Sequence, residues 1–239
     1  MFELYIANKN YSSWSLRPWV LMRELELPFI EKLVPFAGKD ETNAFYSFSP
    51  TGKVPCLIDG ETVVWDSLAI TEYLAERTPA VWPVDASART WARCAVAEMH
   101  SGFQALRECC TMNCGLRIRL ASPSPALEKD LTRMNDLWLE GLTRFGGPYL
   151  AGPTFTAVDA FFAPVAFRVQ TYGLEMTPAC RAYVDRLLAL PAMRDWYEAA
   201  LSETWRDEEH EQMARNAGTW LHDYRAADLN FGCRDKAMS

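Results

Sequence analysis

Apolar and polar residues alternate from the second position of the chain. Phe2, Leu4 and Ile6 stand against Glu3 and Tyr5, a period of two that predicts a strand. The period then lengthens: Leu16, Val20 and Leu21 share one helical face, and Leu25 continues it. Alternation returns in LPFIEKLV, residues 27–34, whereas residues 37–50 are weakly patterned and leave room for one short helix. VPCLIDGETVVW reads as two strands around Asp59-Gly60, because an Asp-Gly pair between alternating apolar runs is a strong hairpin signal. DSLAITEYLAERTP is a helical pattern that Pro79 stops. The predicted order over residues 1–78 is β-α-β-(α)-β-β-α.

After PAVWPVDA, residues 79–86, the strand patterns cease. Residues 87–120, 125–145, 157–172, 178–189 and 191–203 read as helices punctuated by Pro and Gly. The charged run ETWRDEEHEQMARNAG can add one more, and roughly the last two dozen residues read as a tail. The expected architecture is a thioredoxin-like α/β domain over 1–78, a linker over 79–86 and an all-helical domain over 87–239. Thr156-Ala-Val-Asp159 looks catalytic but has the form of a capping box, in which the two side chains satisfy each other's free backbone amides.

Composition narrows the partners. Apolar residues make up 49% of the chain, enough for a sizeable core. A net charge of −7 argues against nucleic acid, whose phosphates need a basic surface. No run of about eighteen apolar residues predicts a membrane span, and the first residues lack the basic and apolar regions of a secretory signal. Seven cysteines, an odd number at irregular spacing, fit reduced thiols and a cytoplasmic location. CCTMNC brings no second cysteine pair and no nearby histidine pair, so no metal site is expected.

Candidate chemistry gathers at two places. Val54-Pro55 precedes the hairpin strand where a thioredoxin-like fold carries a cis proline, which turns the backbone of the preceding residue toward a ligand. SSWS stands where a redox thioredoxin needs Cys-x-x-Cys, so dithiol chemistry is excluded there. Pro18 sorts the serines. With Ser15 as the helix N-cap, the proline falls in the first turn and forfeits no hydrogen bond. That expectation leaves Ser12 and Ser13 in the preceding loop, free to face a ligand.

Together and in this order, SSWSLRPW, GKVPCL, WDSLAITEYLAE and GPTFTAVDAFFAP resemble the motifs of the cytosolic glutathione transferases, over essentially the whole chain. The zeta and theta classes are the nearest in motif. The resemblance implies glutathione as co-substrate, attacking a small hydrophobic electrophile, in a cytoplasmic homodimer with a role in detoxification. It places Asp66 and Ser67 on the γ-glutamyl end of glutathione, the Val54 backbone on its cysteinyl peptide and Lys53 near its glycyl end. The thiol would be activated by a serine hydroxyl. Gapless comparison with the zeta motif points to Ser12, the theta spacing back from Arg17 points to Ser13, and the paired serines favour Ser12. Met99, Phe103, Arg107 and Met112 are candidates for the electrophile pocket. The alternatives are a zeta-type cis-trans isomerase and a non-catalytic module; the zeta motif has Cys where this chain has Trp14, which weighs against the isomerase.

Overall fold

The N-terminal strand forms as β1 (Phe2–Ile6), followed by α1 (Ser13–Glu24), β2 (Phe29–Leu33), α2 (Glu41–Tyr46), β3 (Cys56–Asp59), β4 (Thr62–Trp65) and α3 (Ser67–Ala75). These elements come from a computed structural model that describes residues 1–36 and 41–225. The sheet order is β2-β1-β3-β4, with β1 and β2 parallel and the other pairs antiparallel. This is the expected thioredoxin-like arrangement, and the β3–β4 hairpin turns at Gly60, whose φ of 60° suits a residue without a side chain. Leu4 and Ile6 of β1 and Leu57 of β3 are fully buried, so the alternation seen in the sequence sets the face on which α1 and α3 pack.

A 3-10 turn (Pro79–Val81) leads into α4 (Ala86–Ser101), α5 (Gln104–Cys109), β5 (Leu116–Leu120), α6 (Pro125–Arg144), α7 (Ala157–Tyr172), α8 (Pro178–Ala189), α9 (Pro191–Ser202), α10 (Glu208–Ala217) and β6 (Gly218–Asp223). Residues 87–120 are therefore not the single helix that their pattern predicts. Gly102 ends α4 by donating its N–H to Glu98 O at 2.7 Å, and Phe103 takes a left-handed φ of 55° before α5 starts. A Cβ at Gly102 would meet that same carbonyl at 2.8 Å, so the break needs glycine. The expected tail is corrected as well: Gly218–Asp223 pairs antiparallel with β5, and residues 226–239 lie outside the described residues.

Helix α7 is the centre of the molecule. It is buried from Ala157 to Val169, as expected of a helix that is apolar nearly all round, and it packs against α1, α4 and α8. Burying each of Phe161, Phe162 and Phe167 contributes about 1.5–3 kcal/mol. Its start is the predicted capping box: Asp159 accepts from Thr156 N at 2.9 Å, and also from Leu150 N at 3.0 Å and Tyr183 Oη at 2.9 Å. The α1–α7 contact fixes the thioredoxin-like part against the helical part. Among the described residues no helix is long and apolar enough to cross a membrane.

Candidate active site

The loop between β1 and α1 is held from both sides by buried and part-buried polar contacts. The N–H groups of Lys9 and Asn10 donate to Glu203 at 2.5 and 3.2 Å, and Trp196 Nε1 donates to Lys9 O at 2.8 Å. Asn10 Nδ2 donates to Asn113 Oδ1 at 3.0 Å, and Gly115 N donates to Asn10 Oδ1 at 2.9 Å. Tyr11 Oη donates to Glu211 Oε1 at 2.5 Å; burial and this carboxylate push its phenol up to about 12. So α9, α10 and the segment before β5 together pre-position the serines that follow.

Those serines are arranged differently from the expectation. The helix begins at Ser13 with Ser12 as N-cap, so Ser15 is its third residue and not its cap. Ser15 is fully buried and its Oγ accepts from Ala7 N at 3.3 Å and from Ser12 Oγ at 2.7 Å. That tertiary anchoring offsets the cost of placing Pro18 deep enough in the helix to forfeit a backbone bond to Trp14 O. Ser12 is buried and its hydroxyl proton is committed to Ser15. Ser13 is half-buried, and its hydroxyl has no partner among the described residues.

Helix α3 supplies the second group. Asp66 is its N-cap, accepting from Leu68 N at 2.7 Å, in a strained conformation with φ 74°. Its other oxygen lies 3.5 Å from His100 Nε2. Burial, aided by Arg17 and Arg107, holds the imidazole below the ordinary histidine range despite Asp66, so at neutral pH it does not cancel the carboxylate charge. Ser67 is buried at the first helical position with an Oγ that has no partner among the described residues. A cavity of about 410 Å³ is lined by Trp14, Lys53, Val54, Trp65, Asp66 and Ser67. Val54–Pro55 is cis, as predicted, and Lys53 is exposed at the rim. An orphaned hydroxyl and the free amides at a helix start suit a carboxylate, and Asp66 suits an ammonium.

A smaller cavity of about 230 Å³ adjoins it, sharing Trp14 and Val54. Ser12, Ser13, Met99, Met112, Pro164 and His210 contribute to its wall, with Arg17, Arg107 and Arg168. Arg17 stacks on Trp14, 4.0 Å from the ring centroid. His210 pairs with Asp207 at 2.6 Å through Nδ1 and stacks on Phe36. A larger cavity of about 610 Å³ lies apart, between the β5–β6 sheet and the ends of α6 and α7, and it includes none of the candidate residues.

Family models for the glutathione S-transferase N-terminal and C-terminal domains match residues 11–77 and 95–199. The chain belongs to the glutathione S-transferase family. A glutathione S-transferase from Dianthus caryophyllus is 26% identical over 73% of this chain and 80% of its own length. A probable maleylacetoacetate isomerase from Vibrio cholerae is 25% identical over 80% of this chain and 94% of its own. Among solved structures, a glutathione transferase homolog from Burkholderia with bound glutathione superposes with a TM-score of 0.61 at 23% identity, covering 83% of this chain and 97% of its own.

In this glutathione S-transferase, all six candidate site residues fall on the two adjoining cavities. Of the pocket candidates, Met99, Arg107 and Met112 line the smaller cavity, whereas Phe103 is buried in the core. Arg168 and His210 went unseen. The signal for Arg168 was present, a lone cation in the apolar run FFAPVAFRVQ; His210 carried none, since only the fold returns α10 to the serine loop. Burial pushes the Cys110 thiol up to about 12 and Cys114 higher, so neither is a rival nucleophile.

Proposed function

We propose that the chain binds glutathione in the larger of the two adjoining cavities and joins it through its sulfur to a small electrophile in the other. The observation that carries this reading is the junction itself. Asp66 and the orphaned Ser67 hydroxyl mark one end of a groove, and the Ser13 hydroxyl at the start of α1 marks the other. The Val54 backbone lies between them and makes no hydrogen bond to the described residues, free to pair with the peptide of glutathione as an added strand would. Lys53 at the rim is available to the glycyl carboxylate.

A thiol of pKa about 8.5 is only a few per cent ionised at neutral pH. Lowering it by roughly two units takes about 2.7 kcal/mol of preferential thiolate stabilisation. A hydroxyl donating to sulfur, together with the free N–H groups of the first helical turn, is a sufficient source. The thiol proton passes to solvent and the sulfur forms a bond to carbon. A leaving group departs with its electron pair or, at an activated double bond, the neighbouring carbon takes up a proton. Ser13 is the better donor, because the Ser12 proton is already given to Ser15. Homodimer assembly, a cytoplasmic location and a detoxifying role belong to this proposal through the family.

Ser13→Ala is expected to raise the pKa of bound glutathione by about one unit or more, read from thiolate absorbance against pH, and to lower turnover at neutral pH. Glutathione affinity should change little. Ser12→Ala should move that pKa less. A larger effect at Ser12 would mean that its hydroxyl leaves Ser15 when glutathione binds; no effect at either would assign the thiolate to other donors. Addition, bond rotation and loss of glutathione would instead isomerise a maleyl double bond, the activity named for the Vibrio cholerae relative. Trp14 in place of the zeta-class cysteine favours transfer, and a cis-trans assay with a maleyl acid separates the two.

A further inference from the structure

The smaller cavity has a charge that an apolar electrophile would not need. Arg17, Arg107 and Arg168 all face it, in a chain whose net charge is −7. Arg17 is 2% exposed and Arg168 5%. The hydrogen bonds of Arg107 go to the carbonyls of Met99 and His100, and those of Arg168 to the carbonyls of Cys110 and Arg107. None of the three forms an ion pair among the described residues. Nε and Nη1 of Arg17, Nε of Arg107 and Nε of Arg168 are buried without a hydrogen-bond partner among the described residues.

Structural roles do not use up these groups. Arg17 lies over Trp14 and over Phe161, at 4.0 and 4.8 Å, but stacking engages the face of a guanidinium and leaves its N–H edge unspent. The carboxylates whose fields reach the cluster are Asp66, toward Arg17, and Asp130, toward Arg107. Neither is in ion-pair contact with the cluster: Asp66 caps α3 by accepting from Leu68 N at 2.7 Å, and Asp130 accepts from Leu106 N at 3.0 Å. Beside Arg168 stand the Tyr172 hydroxyl, the Cys110 thiol and the like charge of Arg107, with no carboxylate paired to it among the described residues. Two buried guanidinium groups and a third half-buried one, without a paired carboxylate among the described residues, are costly, and Arg107 weakens the hold of both Arg17 and Arg168 on their protons. An anion relieves all three at once.

We infer that this cavity takes the carboxylate of an acidic electrophile, held by Arg17, Arg107 and Arg168 while Met99, Met112 and Pro164 cover its carbon skeleton. The inference rests on the glutathione reading above and replaces the hydrophobic electrophile that the family resemblance implies. Guanidinium groups suit it, because their planar N–H edges match a carboxylate two bonds at a time. The arginines approach from α1, α5 and α7, so the acid would be fixed relative to the sulfur by both parts of the molecule.

The test compares a chloronitrobenzoate with the matching chloronitrobenzamide, each with glutathione. Each kcat/KM is divided by the uncatalysed rate to remove intrinsic reactivity. The wild type is expected to favour the acid by about tenfold or more, the scale of one charge-assisted pair. In Arg107→Gln and Arg168→Gln the ratio should collapse toward one, while glutathione affinity by calorimetry stays within about twofold. Arg107 is the less buried of the two, so its variant decides if Arg168→Gln fails to fold. Equal handling of acid and amide by a wild type that binds glutathione would overturn the inference and leave the parent reading standing. Loss of glutathione affinity in Arg107→Gln would also overturn it, since the cluster would then serve glutathione itself. Absence of glutathione binding in the wild type would remove the parent reading, and this one with it.

Discussion

Asp159→Ala is expected to lower the melting temperature by roughly 10 °C, from a loss of about 3–5 kcal/mol at some 2–4 °C per kcal/mol for a chain of this size. The carboxylate is fully buried and accepts from Leu150 N, Thr156 N and Tyr183 Oη. Alanine leaves those donors in the core without acceptors, at about 1–3 kcal/mol for each buried group. Burial raises the Asp159 carboxyl to about 6, against its own donors. Its folded pKa thus lies above the unfolded one. The stability this adds is fully present below the ordinary carboxylate range and is lost as pH rises through about 6. The gap in melting temperature between wild type and variant should therefore widen from neutral pH toward pH of about 5. Circular dichroism melts at the two pH values check both statements. A fall of only a degree or two, or a gap that narrows in acid, would contradict them. Glutathione affinity of the folded variant should match that of the wild type.

Asp66→Ala has the opposite profile. Removing the partner of the ligand's ammonium should cost about 1.5–3 kcal/mol of binding, tenfold to more than a hundredfold in Kd. The same substitution removes a helix cap, at about 1 kcal/mol, so stability must be separated from binding. Asp66→Asn makes the separation: it keeps an acceptor for Leu68 N and tolerates the positive φ, but carries no charge. Calorimetry should show the asparagine variant nearly as weak as alanine, with a melting temperature near that of the wild type. Wild-type affinity in Asp66→Asn would reduce Asp66 to a cap.

The contrast between these two aspartates shows what could be read from the chain in advance. Thr156 and Asp159 are three residues apart and satisfy each other locally, so their motif was legible as structure. The hairpin at Asp59-Gly60 and the order of strands and helices were legible for the same reason. Ser15 was not: the group that holds it inside the helix is Ala7 N–H, at the end of the preceding strand, and only the folded loop brings the two together. Leu116–Leu120 alternates, yet its partner strand lies about a hundred residues on, and without it the pattern merges into the helix before it. The candidate glutathione residues are contiguous in two short motifs, Lys53-Val54 and Asp66-Ser67, so a short window of sequence suffices to propose them, and both motifs line one cavity. The arginines sit at positions 17, 107 and 168 on three helices, and no window of sequence contains more than one of them.

Titrating glutathione into the wild-type protein by calorimetry, at two temperatures so that a vanishing enthalpy at one is not mistaken for absence of binding, tests the central claim most directly. A saturable isotherm with one site per chain, complete by millimolar glutathione and weakened in Asp66→Asn, is the predicted result. No heat at either temperature at millimolar glutathione would contradict it.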